Sequence, residues 1–324
     1  MKITPYTPDK KGLWDNFVTQ YSLNGTIFHE QQFLSYHKDR FQDASIMIYE
    51  GQKLIGVFPA VFEHDKIISH SGSTYGGLVV HKNIKLKDLH DMVGSVVEYY
   101  RQSYKNVVKQ IRMVLPEEFP VRDMKGGLAF SLFQHGFQLN SKEISTVISI
   151  DVFLEFNGMR KTTRQYLKSK KYEKLGVVYK RAERSSDILD AYALISQNME
   201  IKYAKKPTHS KDEFLALLKM YPDRISVFVA KSEGVVIATY VVFALNNDVA
   251  HVFYIARDVD RLNVADIGLV NFIVSYYKEK NFSYINFGIS SRGREIKWWI
   301  HNYKEQFSKN FLTRDVWTLD ISEG

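Results

Sequence analysis

The sequence predicts an α+β fold, a mixed α/β chain made of two tandem domains, each a mixed, mostly antiparallel sheet flanked by helices. Two observations carry this prediction. The β-rich runs come as hairpins, and the same series of elements occurs twice along the chain. In the second series, Ile225–Ala230 and Val235–Ala244 flank the turn Ser232-Glu233-Gly234, which is a hairpin signal. Hairpins followed by a helix and a strand indicate a mixed sheet and not a doubly wound parallel one.

The second series continues with a strand, a helix and a returning strand. The run Ala250–Ala256 follows a polar turn and predicts the third strand. Apolar residues then recur at helical spacing over Ala265–Lys280, with basic residues in the last turn. The chain returns as an apolar strand at Tyr284–Phe287. Its antiparallel strands, long helix and final strand make up one complete α/β unit.

The first series has the same order. The segment SIMIYEGQKLIGVFPAVF at Ser45–Phe62 parallels SVFVAKSEGVVIATYVVF at Ser226–Phe243. A helix follows in each series, at Leu86–Tyr104 in the first, and then a strand, at Gln110–Leu115. Identities are few, so the repeat lies in the order of the elements. We predict a first domain over 1–153, a basic helical connector over 154–176 and a second domain over 177–324.

Composition excludes several classes of protein. The chain has 324 residues, of which 45% are hydrophobic and 25% charged, which is typical of a soluble globular protein. It contains no cysteine, so disulfides, thiolate catalysis and cysteine-ligated zinc are excluded. Histidine and carboxylate spacings match no metal motif, and we expect no metal site. The sequence has no signal peptide and no long apolar run, so we expect no transmembrane segment and a cytoplasmic location.

The positive charge is concentrated in one segment. The net charge is +8, and residues Arg160 to Arg184 hold ten Lys/Arg against two Glu, which leaves 34 basic and 34 acidic residues elsewhere. Within it, Arg160, Arg164 and Lys168 share one face of a predicted helix. The segment is either a solvated helix face or a docking surface for an anionic partner such as phosphate, RNA or a lipid headgroup.

Four short motifs occur along this series of elements. They are Thr74-Tyr75-Gly76-Gly77-Leu78, Arg160-x-x-x-Arg164, Asn286-Phe287-Gly288-Ile289-Ser290 and Tyr303-Lys304-Glu305-Gln306-Phe307. In this order, and with the duplicated unit, they resemble the FemAB-like group of Fem-type aminoacyl transferases, whose tandem domains are similar to GNAT acyltransferases. Ser308 stands where the last motif of that family usually has glycine. The resemblance covers nearly the whole chain.

The resemblance implies an acyltransferase that moves an aminoacyl or acyl group onto an amine of a cell-envelope precursor, as in peptidoglycan synthesis, or of a polysaccharide precursor. It implies aminoacyl-tRNA as the donor substrate, with no bound cofactor. The partners that it implies are tRNA, an anionic envelope or sugar precursor, and a peripheral contact with the membrane surface.

Acyl-CoA is the less expected donor. GNAT enzymes hold its pyrophosphate on a glycine-rich turn at a helix N-terminus. The corresponding turn of the second series, Arg257–Val264, has no glycine and contains two aspartates, which would repel a pyrophosphate. Two alternatives stay open: a CoA-dependent N-acyltransferase that acts on an amino-sugar, and a non-catalytic RNA- or anion-binding protein on a degenerate GNAT scaffold.

Two residues are candidates for the chemistry. Lys304 could place a positive charge beside the oxyanion that develops during acyl transfer; its alternative is a surface lysine in a basic tail. Ser290, at the end of a strand, could orient a water or an amine. Tyr303 and Phe307 would shape the substrate pocket, or else belong to the core.

Further candidates would bind substrate. Arg160, Arg164 and Lys168 could bind phosphate, or remain solvated. The glycine motif with Tyr75, Gly76 and Gly77 could line an acceptor cleft or simply make a turn. His209 in a loop and Tyr254 in a strand are the remaining candidates.

For three further residues with aromatic rings, the sequence favours a structural role over a functional one. His251 lies between apolar residues in a strand, which predicts a buried histidine. The pair Trp298-Trp299 is either a core anchor or a stacking platform for a base or sugar ring, and the core is the prediction.

Overall fold

The computed structural model describes residues 1–120, 126–159, 172–258 and 265–321. The strands are β1 (Lys2–Pro5), β2 (Gln42–Asp43), β3 (Ile46–Glu50), β4 (Lys53–Phe58), β5 (Val61–Glu63), β6 (Lys66–Ser69), β7 (Val79–Val80), β8 (Gln110–Val114), β9 (Gln138–Ser149), β10 (Val178–Arg181), β11 (Ile225–Ser232), β12 (Val235–Ala244), β13 (Val249–Arg257), β14 (Tyr284–Ile289), β15 (Ser291–Arg292), β16 (Glu295–Ile296) and β17 (Asn310–Asp320). The helices are α1 (Lys11–Asn16), α2 (Gln31–Leu34), α3 (Leu86–Ser103), α4 (Gly127–Gln134), α5 (Ile150–Met159), α6 (Ser185–Tyr203), α7 (Lys211–Met220), α8 (Ala265–Glu279) and α9 (Trp298–Glu305).

The chain forms two compact units. Unit 1 comprises Met1–Ser145, Ile289–Trp298 and Phe311–Gly324, and unit 2 comprises Thr146–Gly288 and Trp299–Asn310. These units differ from the predicted domains 1–153 and 177–324, because two C-terminal segments belong to unit 1. The physical reason is strand pairing: β17 runs antiparallel to β8, with Leu319 opposite Ile111. The half of β17 from Val316 to Asp320 is bonded to unit 1 and contributes Trp317 and Leu319 to its core.

Unit 2 contains the hairpin that the sequence predicts. Strands β10, β11, β12 and β13 pair antiparallel in that order, and β14 runs parallel to β13. At the β11–β12 turn, Glu233 and Gly234 have φ angles of 51° and 81°, the left-handed conformation that tight hairpin turns require. Helix α8 connects the parallel strands and buries Leu269, Ile273 and other apolar residues against the sheet.

Unit 1 repeats these elements with one difference. Strands β1, β3, β4 and β7 form one antiparallel sheet, whereas β5 pairs with β2 and β6. The parallel drawn between Ser45–Phe62 and Ser226–Phe243 is therefore incomplete, since the run that corresponds to the single strand β12 divides into β4 and β5. Pro59 lies at the division and has no N–H to donate to a ladder. Helix α3 links the parallel strands β6 and β8 and buries the apolar stripe that predicted it: Leu89, Met92, Val93, Val96, Val97 and Tyr100.

The predicted fold class is confirmed, since each unit is a mixed, mostly antiparallel set of strands flanked by helices. Helix α9 was not predicted, because its buried positions are His301 and Lys304 and no apolar stripe marks it. Within the described ranges, no helix combines the length and hydropathy that crossing a bilayer requires. His251 is buried in β13, as predicted.

Candidate active site

Lys304 is a buried cation in unit 2. Helix α9 carries it, and its side chain is among the buried polar groups, with 5% of the residue exposed. The Nζ ammonium donates a hydrogen bond of 2.8 Å to the carbonyl oxygen of Gly288, near the end of β14. A charge away from water is retained only where polar groups compensate it. The alternative of a surface lysine in a basic tail is therefore wrong.

The chain turns sharply where Lys304 binds it. Gly288 has a φ of 71°, a left-handed conformation that glycine adopts without strain. Its N–H donates to the side-chain oxygen of Asn286 at 2.8 Å, and Asn286 is fully buried. The hydrogen bond from the Gly288 N–H to Asn286 thus helps to hold the Gly288 carbonyl in the position where it accepts from Lys304.

Beside Lys304 along α9, Tyr303 belongs to a polar network whose other members include the buried Tyr240 and Asp266, whereas Tyr303 and Arg257 are partly buried. Its hydroxyl donates to Asp266 Oδ2 at 2.8 Å, and Arg257 Nη1 lies 3.2 Å from the same oxygen. Tyr240 bonds to Tyr303, and because Tyr303 gives its proton to the carboxylate, Tyr240 is the donor in that pair. Burial, together with the charge of Asp266, raises the pKa of Tyr240 well above its usual value. Burial also raises the pKa of Tyr303 in the same way, so both hydroxyls stay protonated at neutral pH.

Asp266 is the acidic centre of this network. It is 1% exposed and lies in the first turn of α8, where the helix dipole favours a negative charge. Its Oδ1 has no hydrogen-bond partner among the described residues. The guanidinium of Arg257 also lies 5.6 Å over the Tyr303 ring. One carboxylate thus fixes both the tyrosine and the arginine.

Helix α6 holds Arg257 from another side. The side-chain amide of Asn198 donates to the Arg257 carbonyl at 3.0 Å and accepts from its N–H at 3.3 Å. Burial lowers the pKa of Lys202, one turn further along α6, and the charge of Arg257 lowers it further. Cationic side chains therefore gather at the end of β13.

Phe307 anchors α9 to the sheet. It stacks on Phe287 of β14 with ring centroids 5.5 Å apart, and Tyr303 meets it edge-on at the same centroid distance of 5.5 Å. Phe307 is buried, as the core alternative requires. Ser308, at the position where glycine was expected, donates to the Val147 carbonyl at 2.7 Å.

The structure brings together two further candidates of unit 2, His209 and Tyr254. The Nδ1 of His209 lies 3.0 Å from the Tyr254 hydroxyl, and the His209 N–H donates to that oxygen at 3.1 Å. Both residues are buried, and burial raises the pKa of Tyr254 to about 12. Their role in substrate binding stays a prediction.

The glycine motif of unit 1 has a structural explanation. Tyr75 is fully buried and packs edge-on against Phe28. A Cβ at Gly76 would lie 1.9 Å from the Ser69 carbonyl oxygen, and Gly77 has a φ of 90°. Close backbone approach and a left-handed φ both require glycine. The turn alternative accounts for both glycines, and the acceptor cleft stays a prediction.

Ser290 belongs to unit 1. Its N–H donates to the Ile144 carbonyl and its own carbonyl accepts from Lys297, both at 2.8 Å. The Ser290 hydroxyl is buried and has no hydrogen-bond partner among the described residues. Three basic candidates, Arg160, Arg164 and Lys168, lie outside the described residues.

Solved structures share this fold over nearly their full length. FemX has a TM-score of 0.73 at 12% identity, covering 99% of this chain and 98% of its own. A C-terminal domain described as belonging to a lysylphosphatidylglycerol synthetase of Agrobacterium fabrum has a TM-score of 0.63 at 12% identity, covering 98% and 93%. A tandem GNAT protein from the clavulanic acid biosynthesis pathway has 0.51 at 10%, covering 100% and 99%. The chain has the FemAB-like, tandem GNAT fold. No family model and no curated protein sequence matches it.

Sequence reasoning missed the partners of Tyr303 within this FemAB-like fold. Asp266 carried a weak signal, a carboxylate at the start of an otherwise apolar helix. Tyr240 and Arg257 carried none, because each is one polar residue at the side or end of a β-rich run. The predicted core position of Trp298 and Trp299 is wrong, since they are 61% and 55% exposed. Among the described residues, no group of three or more acidic or histidine side chains could hold a metal ion.

Proposed function

We propose that this protein is an acyltransferase of the FemAB-like type, which moves an aminoacyl group from aminoacyl-tRNA to an amine of a cell-envelope or polysaccharide precursor. One observation carries the proposal: the buried ammonium of Lys304, held on the carbonyl of Gly288 at 2.8 Å. A protein keeps an ammonium in such a place at a cost in stability. A function that needs a positive charge in a water-poor site explains why it is kept.

Acyl transfer to an amine needs that charge. The amine nitrogen attacks the ester carbonyl carbon of the donor, forms a C–N bond and leaves a negative charge on the carbonyl oxygen. The ester C–O bond then breaks, and the ribose oxygen leaves as a hydroxyl with the proton that the amine loses. A fixed cation in a site with little water stabilises the oxyanion far more than water does. Lys304 would supply this stabilisation.

Two further observations support the donor and the acceptor class. The neighbour from Agrobacterium fabrum is described as the C-terminal domain of a lysylphosphatidylglycerol synthetase, which supports an aminoacyl donor and a cell-envelope acceptor. The choice of an amine on that acceptor rests on the resemblance to Fem-type transferases. The ten Lys/Arg between Arg160 and Arg184 would suit a polyanion such as tRNA or a phosphorylated precursor. A charged-tRNA donor would also place the reaction in the cytoplasm.

A transfer assay with radiolabelled amino acids tests the proposal. Bulk tRNA charged with labelled amino acids is incubated with the full chain and either a muropeptide or an amino-sugar acceptor. We expect label in the acceptor, and a rate that falls about 100- to 1000-fold in Lys304→Met. The matched control is Lys309→Met, which removes an exposed lysine five positions along and should leave the rate unchanged. No transfer from any charged tRNA, or full activity in Lys304→Met, would refute the proposal.

Calorimetry distinguishes the proposed aminoacyl-tRNA donor from the main alternative, an acyl-CoA donor. Titration with acetyl-CoA and longer acyl-CoAs should give no heat of binding if the donor is aminoacyl-tRNA. Binding of an acyl-CoA, followed by its transfer to an amino-sugar, would favour a CoA-dependent enzyme instead.

A further inference from the structure

The C-terminal end of α6 in unit 2 leaves apolar side chains exposed to solvent. All six residues of Ile201–Lys206, which we name the α6 tip, are exposed. Ile201 is 74% exposed and Tyr203 is 38% exposed. The helix itself ends at Tyr203, and Ile201 and Tyr203, two positions apart, lie on different sides of its last turn.

An exposed tryptophan enlarges this surface. Trp299 of α9, also in unit 2, is 55% exposed, and its ring centroid lies 5.8 Å from that of Tyr203. The two aromatic rings therefore contact each other and form one patch at the end of the helix, and Ile201 is exposed on another side of the same helix end. Leaving three large apolar side chains in water costs free energy that a partner would recover.

Lysines predominate around the patch. The α6 tip contains Lys202, Lys205 and Lys206, all exposed, although Lys202 lies close enough to the protein for partial burial to lower its pKa. One acidic residue, exposed Glu200, directly precedes the tip. A surface of this sign selects an anionic partner.

The side-chain types favour a lipid bilayer over a nucleic acid. Tyrosine and tryptophan prefer the boundary between headgroups and acyl chains, and lysines beside them bind anionic headgroups. Ile201 offers an aliphatic side chain with no face on which a base could stack. The Tyr203 and Trp299 rings are tilted by 35° and already touch, which leaves no slot for a base between them.

We propose that the α6 tip and Trp299 form a docking surface for a membrane that contains anionic phospholipid. The tip inserts its apolar side chains at the headgroup level while its lysines bind lipid phosphates. The surface would hold the protein where membrane-embedded or membrane-adjacent substrates are found. It is independent of the proposed transferase chemistry, because it uses none of the residues assigned to the acyl group.

Vesicle co-sedimentation tests the apolar part. The full chain is spun with vesicles of phosphatidylcholine alone or mixed with phosphatidylglycerol. We expect it to pellet with the mixed vesicles, and the triple variant Ile201→Ser, Tyr203→Ser, Trp299→Ser to bind about 100-fold more weakly. The matched control is Phe130→Ser with Phe133→Ser, which removes two aromatics that are 53% and 65% exposed on α4. It should bind like the unaltered chain.

The charge requirement has its own variants. Each of Lys202→Gln, Lys205→Gln and Lys206→Gln should weaken binding to the mixed vesicles about fivefold. High salt should weaken binding of the unaltered chain in the same direction.

Three results would overturn the proposal. In the first, the unaltered chain stays in solution with the mixed vesicles. In the second, the serine variant pellets as well as the unaltered chain. In the third, the unaltered chain binds single-stranded RNA but not vesicles, and the serine variant loses the RNA binding. Circular dichroism confirms that each variant is folded. Aminoacyl transfer to a soluble acceptor without vesicles should be the same in the serine variant and the unaltered chain, so failure of docking is distinguishable from failure of the transferase.

Discussion

The ammonium of Lys304 is bonded to the carbonyl of Gly288 at 2.8 Å, and this contact ties helix α9 to the end of β14. The position of helix α9 and the charge of Lys304 can be considered separately. The helix is also anchored by Phe307 on Phe287 and by Tyr303 on Asp266. Because those contacts hold the helix without the lysine, the charge itself can be removed while the fold is retained.

Replacement of Lys304 should therefore separate stability from activity. Methionine has a similar length and no charge, so Lys304→Met removes the desolvation cost of a buried ammonium but leaves the Gly288 carbonyl without its donor. These effects oppose each other, and the free energy of unfolding should change by less than about 2 kcal/mol. Arginine keeps the charge on a larger planar group, and Lys304→Arg should retain more transfer activity than methionine while destabilising the site. Urea denaturation and the transfer assay measure the two effects. A Lys304→Met chain that loses activity only because it unfolds would contradict this prediction.

Asp266 is the residue on which the polar network depends for stability. Asp266→Asn keeps the shape but removes the negative charge, which leaves the partly buried Arg257 without its counter-ion. We expect a loss of about 1–3 kcal/mol, below the value for a fully buried pair because Arg257 reaches solvent. The matched control is Asp151→Asn in the same unit, whose pair with Lys278 is 69% and 51% exposed and should contribute less than about 1 kcal/mol. Equal losses in the two variants, measured by urea denaturation, would show that burial of the pair is unimportant.

The sequence predicts the scaffold better than the site. The β11–β12 hairpin was predictable because Gly234 adopts a left-handed φ without strain, although its neighbour Glu233 also has a φ of 51°. Helix α3 was predictable because its apolar stripe is regular. Lys304 was found through its motif. The network of Tyr303 was not, because its contact with Asp266 spans 37 residues and no local pattern records it. Helix α9 escaped prediction for a related reason: a helix whose buried side chains are polar shows no hydrophobic periodicity.

His29 should make unit 1 sensitive to mild acid. Its Nδ1 accepts from the Thr26 N–H at 3.0 Å, so the ring is neutral with its proton on Nε2, which donates to the Gly76 carbonyl at 3.0 Å. Burial lowers the pKa of His29 from 6.5 to about 4. As the pH falls, the unfolded chain protonates His29 before the folded chain does. The contribution of neutral His29 to the free energy of unfolding is therefore complete above pH 6.5 and is lost between pH 6.5 and about 4.

The measurement is the free energy of unfolding against pH. We expect His29→Gln to be less stable at neutral pH and to lose less stability than the unaltered chain between pH 6.5 and about 4. The control is His64→Asn, because His64 is exposed and has a positive φ that asparagine tolerates. This variant should behave like the unaltered chain. Comparison of variants is necessary because burial raises the pKa of Asp15 to about 6, which opposes the effect of His29 in the same pH range. Parallel curves for His29→Gln and the unaltered chain would refute the assignment.

Gly76 and Gly12 should respond in opposite directions to the same change. A Cβ at Gly76 would lie 1.9 Å from a backbone oxygen of Ser69, which cannot move without breaking the turn, whereas a Cβ at Gly12 meets nothing within 4 Å. We expect Gly76→Ala to destabilise the protein by more than about 3 kcal/mol. Gly12→Ala lies in α1 and should stabilise it by about 0.5–1 kcal/mol, since alanine loses less conformational entropy in a helix. Thermal unfolding of both variants decides the point: if Gly76→Ala is tolerated, the close contact with Ser69 does not explain the glycine, and a role in an acceptor cleft gains support.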